Sequence, residues 1–183
     1  MKRFYSVLLV ILFFGCVDGT ISTTAETTTI NPETYWGESP WPEIRKKRIN
    51  TLLPKALKNA NVDCWLVICR ENNNDPIADH IGGENAGGTA VFLFYNDDNG
   101  FHSKVFSPSG EATALDDLDI HEEVVSVERG TSAVAMAVDF IKEKEFATIA
   151  VNSSKSNAMA DGLSYSQRQN LEELLGDYSN RLV

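Results

Sequence analysis

The chain has 183 residues, with 26 acidic and 16 basic side chains and a formal charge of −10. That length holds one domain of ordinary size, or one domain and a tail. At 43% hydrophobic and 23% charged residues it is neither disordered throughout nor a multi-span membrane protein. The acidic balance, with a pI near 4.7, argues against a general nucleic-acid binder, which needs a basic face for phosphates.

Lys2 and Arg3 precede Phe4 to Phe14, an almost unbroken apolar run of 11 residues. A bilayer needs about 20, so the run fits the hydrophobic region of a signal peptide over residues 1–15. Gly15-Cys16 at its end has the form of a bacterial lipoprotein signal, with Cys16 as the lipidated first residue. Phe13 departs from that form, which usually has Leu there. Cleavage after Gly19 is the alternative. Both readings expect export: to the periplasm or cell surface with a lipid at the N-terminus, or secretion. Removal of residues 1–15 deletes two bases and no acids, taking the charge to −12. Residues 16–35 read as a Thr-rich tether. Thr20 to Pro32 holds six Thr and almost no large apolar residue, too little to offset its ordering entropy. The folded domain is expected over residues 36–183.

Trp36 and Trp41 flank a turn-rich stretch and are expected to staple it to the domain. From Glu43 the apolar positions Ile49, Leu52, Leu53, Ala56, Leu57 and Ala60 repeat with helical spacing. Arg45 to Arg48 form a basic cluster that reads as a solvated face. Pro54 should kink or restart the helix. Cys64 to Cys69 is a continuous apolar run, expected to be a strand buried on both faces. Five steps along a strand place Cys64 and Cys69 roughly 16 Å apart on opposite faces, beyond the roughly 7 Å a disulfide allows. Both read as small core residues.

Arg70 to Gly88 is long, polar and glycine-rich. Thr89 to Tyr95 and His102 to Ser107 read as a hairpin across Asn96 to Gly100. A short helix over 112–118 and a strand over 124–128 follow. Thr131 is the expected cap of a helix reaching about Glu145. Residues 147–152 read as a fifth strand. Ser164 or Ser166 caps a last helix closed by Gly176, and residues 180–183 begin a sixth strand. The expectation is α/β: a mixed six-stranded sheet flanked by helices.

Chemistry-bearing motifs are sparse. There is no HExxH, CxxC, GxSxG or Walker pattern. His80 and Glu84 have helical ligand spacing, but Gly82 and Gly83 stand between them. His102 reads as an exposed strand residue and His121, before Glu122 and Glu123, as part of a solvated turn. The glycines from Gly82 to Gly88 lack GxGxxG spacing, so close backbone approach is favoured over phosphate cradling. Asn152-Ser153-Ser154 matches a glycosylation sequon.

Several segments resemble the N-terminal domain of the creatinase, prolidase and aminopeptidase P family of metallopeptidases. The run from Ile44 to Ile49 leading to Val62-Asp63-Cys64-Trp65-Leu66-Val67-Ile68 is similar to its opening helix and first strand. Arg70 to Pro76 resembles the loop after that strand. Ile149 to Ser154, followed by Ala160-Asp161-Gly162-Leu163-Ser164, resembles its fifth strand and the approach to the final helix. The resemblance implies a mixed six-stranded sheet with a ribonuclease H-like motif. It also implies relatives that cleave next to Pro, using two divalent metal ions held in a separate pita-bread domain. None of those ligands can be placed in this sequence, so no catalytic or metal-binding residue is assigned and no cofactor is expected in this chain. Residues 36–183 alone are expected to be inactive. The expected role is a non-catalytic domain, truncated or split from its metal-binding half, that contributes substrate-channel and oligomer contacts. Its expected partner is a pita-bread domain or subunit, or another copy of itself. The alternative is a free-standing exported binding or scaffold lipoprotein. Within the 72–88 loop, His80, Glu84 and Asn85 are the candidate partner-facing or substrate-side residues, on a loop expected to face a partner rather than close the fold.

Overall fold

The structure, a computed structural model, describes residues 39–183. The expected signal peptide, the tether, Cys16 and Trp36 lie outside the described residues. Five strands form one sheet: β1 (Cys64–Cys69), β2 (Ala90–Asp97), β3 (Gly100–Pro108), β4 (Glu123–Val127) and β5 (Ile149–Val151). Their order is β4-β3-β2-β1-β5. β2 runs antiparallel to β1 and β3, while the outer pairs β1–β5 and β3–β4 are parallel. The sheet is mixed, as expected.

The apolar run of β1 is buried on both faces because helices cover both. Cys64, Leu66 and Ile68 pack with α5 (Ala133–Lys144) and α6 (Tyr165–Leu175). Val67 and Cys69 face a second layer containing Ile49 of α1 (Trp41–Thr51), Leu57 of α2 (Leu53–Ala60), Ala78 and Ile81 of the single-turn α3 (Ala78–Ile81), and Leu115 of α4 (Ser109–Asp116). The two thiols therefore sit on opposite faces, both free and buried. Burial pushes both up, Cys69 to about 12, so neither ionises at neutral pH.

Local signals set the helix ends. Pro54 lies in the first turn of α2, where its missing N–H is no loss, so it restarts the helix after Leu52. Ser132, one residue after the expected Thr131, caps α5 by accepting from the Ala135 N–H over 3.2 Å. Ser164, not Ser166, caps α6 in a reciprocal capping box with Gln167.

The expected sixth strand is not formed. Gly176–Arg181 coils into a 3₁₀ turn, which takes up Asn180 and Arg181 and leaves a single parallel bridge between Leu182 and Ile149. The long polar loop also differs from expectation. It contains α3 and a 3₁₀ turn at Gly83–Asn85, and its Ala78, Ile81 and Ala86 enter the core against Val67 and Phe92. Its apolar minority thus closes one face of the fold. No helix among the described residues is long and apolar enough to cross a membrane.

Candidate functional site

The loop after β1 is anchored by a buried polar network. Asp75 and Asn152 are 3% and 5% exposed. The Asn152 amide donates to Asp75 Oδ1 over 2.8 Å, the Ile77 N–H donates to the same oxygen over 3.1 Å, and Trp65 Nε1 donates to Asn152 Oδ1 over 2.8 Å. Burial raises the Asp75 carboxyl above its ordinary value, against the pull of these hydrogen bonds. Asn152, the sequon asparagine, is fully engaged inside the fold.

From this anchor the loop presents His80, Glu84 and Asn85, all exposed, and the structure gives them different surroundings. His80 packs on Trp41, with ring centroids 5.7 Å apart, and Trp41 Nε1 donates to the Asp79 carbonyl over 3.1 Å. The guanidinium groups of Arg45 and Arg48 lie 5.3 and 5.4 Å from the Trp41 ring centre. Glu84 forms an ion pair with Arg45, which is 6% exposed. The basic run is therefore solvated at Lys47 and Arg48 but not at Arg45. Asn85 donates to the Gly82 carbonyl over 3.2 Å and braces its own turn. His80 and Glu84 are thus brought together against α1, and Asn85 is not.

Beside His80 lies an apolar hollow of about 220 Å³ between α1, α2 and α3, lined by Ile49, Leu52, Leu53, Ala56, Trp65 and Ile77 among others. Leu52 is 59% exposed and Ile44 37%. Periodicity placed Leu52 with the core; it falls at the break between α1 and α2 and points outward instead.

The glycines serve close packing. Gly82 takes φ +83°, a Cβ on Gly83 would lie 2.5 Å from Cys69 Sγ, and the Gly88 N–H donates to Glu111 Oε1 over 2.8 Å. A carboxylate already occupies the donor that a phosphate would need.

The other histidines stand in different settings. His102 is held between Asp97 at 2.9 Å and Glu122 at 2.7 Å and stacks on Tyr95. Burial lowers its pKa, but the bonds to Glu122 and Asp97 outweigh this and raise it overall. His121 is not in a solvated turn. It packs on Phe92 and Phe94 and its Nε2 donates to the Ile81 carbonyl over 2.8 Å. Burial holds it down to about 4. No group of three or more His, Cys, Asp or Glu among the described residues is placed to hold a metal ion.

No protein-family model and no curated protein matches this sequence. Solved structures do. The X-Pro aminopeptidase of Thermotoga maritima MSB8 superposes with a TM-score of 0.50 at 14% identity, over 67% of this chain and 31% of that one. The Xaa-Pro aminopeptidase of Streptococcus thermophilus gives a TM-score of 0.50 at 15% identity, over 77% of this chain and 89% of that structure. The N-terminal domain of Xaa-Pro dipeptidase from Lactobacillus brevis gives 0.48 at 11% identity, over 75% and 89%. This chain thus spans about a third of the length of the Thermotoga enzyme. With five strands in place of six, it has the fold that the resemblance implied, shared with the matched parts of the Thermotoga and Streptococcus aminopeptidases.

Proposed function

We propose that this chain acts as the non-catalytic N-terminal domain of an Xaa-Pro peptidase-like protein, working with a metal-binding catalytic domain or subunit. The observation that carries this reading is the fold, shared with two aminopeptidases over most of the chain. In this reading the residues of the chain position and enclose. Asp75 and Asn152 fix the loop, and His80, Glu84 and Asn85 line the side that faces the catalytic partner. Hydrolysis next to Pro would come from the two divalent metal ions of that partner. The test mixes the full chain with an Xaa-Pro aminopeptidase catalytic domain made without its own N-terminal domain. Light scattering should detect a complex, weakened by His80→Ala with Asn85→Ala, and the chain alone should not turn over an Xaa-Pro peptide. Chelator-sensitive turnover by the chain alone, or no complex, would overturn the reading.

A second reading, a free-standing exported scaffold anchored by lipid at Cys16, is favoured by Lys2-Arg3, the apolar run and Gly15-Cys16. Intact-mass measurement on the membrane fraction tests it. A soluble form beginning at Thr20 would remove the lipid anchor and keep export.

A further inference from the structure

We infer that the hollow between α1, α2 and α3 is a docking groove for an acidic protein segment that inserts apolar side chains. Three observations carry this. First, the recess is largely apolar: Ile49, Leu52, Leu53, Ala56 and Trp65 line it, with Ile49 buried and Leu52 59% exposed. An apolar recess left open at the surface is where a partner places an anchor side chain. Second, the charge is concentrated. Residues 41–60 hold six of the 16 bases and a single acid, Glu43, in a chain of formal charge −10. Arg45 and Lys46 are paired with Glu84 and Asp119. Lys47, Arg48, Lys55 and Lys58 are exposed and form no ion pair among the described residues. Third, the basic and apolar features adjoin. Arg48 and Leu52 border both this hollow and a second one of about 230 Å³, which Ile44, Lys47 and Thr51 complete. A partner carrying carboxylates beside aliphatic or aromatic anchors satisfies both features at once.

A protein segment fits better than a membrane surface. A bilayer attracts basic side chains but is broad, and it reaches exposed groups such as Leu52 rather than a recess lined by Trp65. The hollow borders His80, on the side that the catalytic-partner reading gives to the partner, but its test contains no catalytic domain, so the two can fail separately.

The test uses the full chain and two short fluorescent helical peptides. Both carry Leu and Trp four residues apart on one face; the other face is Glu in one and Lys in the other. The Glu peptide should bind, more tightly at low salt, and the Lys peptide should not. Leu52→Asp and the pair Lys47→Glu with Arg48→Glu should each weaken binding about tenfold or more. These side chains are exposed, so an unchanged melting temperature confirms that the variants fold. Equal binding of both peptides, no binding of either, or indifference to Leu52→Asp overturns the inference. Flotation with phosphatidylglycerol vesicles through the same residues, without peptide binding, assigns the face to lipid and overturns it as well.

Discussion

The side-chain amide of Asn152, just past β5, donates to the carboxylate of Asp75 over 2.8 Å, and both side chains are buried. Trp65 of β1 completes the link by donating to Asn152. β1 and the loop just after it are thereby tied by one polar network to a segment 77 residues beyond Asp75, and the loop that presents His80 begins at its edge.

Breaking this network should be costly. Asn152→Ala leaves the Trp65 N–H without its acceptor and Asp75 with only the Ile77 N–H as donor, a loss of about 2–4 kcal/mol. Urea unfolding measures it, and a shift within about 0.5 kcal/mol would show that the network contributes little. A glycan on Asn152 is incompatible with this packing, so folded monomer made in a eukaryotic secretory host should show no added mass there.

Glu84 and its loop neighbours should separate in stability. Glu84→Ala strands the buried Arg45 guanidinium and should lower stability by about 1–3 kcal/mol. Arg45→Met combined with Glu84→Leu should recover much of that loss, because neither charge then remains buried and unpaired. Asn85→Ala, which removes one hydrogen bond within its own turn, should stay within about 1 kcal/mol of the native protein. Thermal melts of the four proteins decide this. Equal losses for Glu84→Ala and Asn85→Ala would contradict it.

The two buffered histidines should give opposite pH dependences. His102 binds its proton more tightly folded than unfolded, so its clasp contributes fully below about pH 6.5 and is lost as pH rises through its raised folded value. Asp97 is held below the usual carboxylate range, first by the Asn99 N–H, so the acid end of that window closes only as pH falls through its lowered value. His102→Gln should therefore be most harmful near pH 5–6 and approach the native protein by about pH 9. His121 is depressed to about 4, so the native state resists its protonation. Stability tied to it is complete above about pH 6.5 and is lost as pH falls through about 4. His121→Gln should narrow its stability gap to the native protein by up to about 3 kcal/mol between those limits. Melting temperatures across pH 4–9 (about two units either side of the His range) check both signs.

These contrasts show where the sequence was legible. The apolar run of β1, the interruption at Pro54 and a serine cap on the last helix are local patterns, and each appears where its residues placed it, with the structure choosing restart at Pro54 and Ser164 as the cap. Arg45 and His121 were misread because their neighbours are charged and their partners are distant. Arg45 is buried by Glu84, 39 residues on, and His121 by Ile81, 40 residues back. Ala78, Ile81 and Ala86 were obscured by the polar residues between them, and no period of 2 or 3.6 marks a single-turn helix. Leu52 satisfies the helical pattern yet falls between α1 and α2 and is 59% exposed, which its spacing does not reveal.

The closest approach in the glycine-rich loop offers a direct test of the packing reading. A Cβ on Gly83 would lie 2.5 Å from Cys69 Sγ, 3.1 Å from Cys69 Cβ and 3.2 Å from Ala78 Cβ. Gly83 has no positive φ, so any penalty for Ala there comes from space rather than backbone conformation. Gly83→Ala should cost about 1–3 kcal/mol through overpacking. Cys69→Ala alone removes a buried sulfur and should cost about 1 kcal/mol. Combined, the substitutions should cost less than their sum, because removing Sγ frees the space that the new methyl needs, while the two remaining contacts near 3.1 Å keep the rescue partial. Urea unfolding of the four proteins in the cycle gives the coupling directly. Strict additivity would place the strain elsewhere in the loop. A phosphate-cradling loop would instead show phosphate-dependent stabilisation of the native protein that Gly83→Ala abolishes, whereas packing against Cys69 predicts no response to phosphate in any of the four.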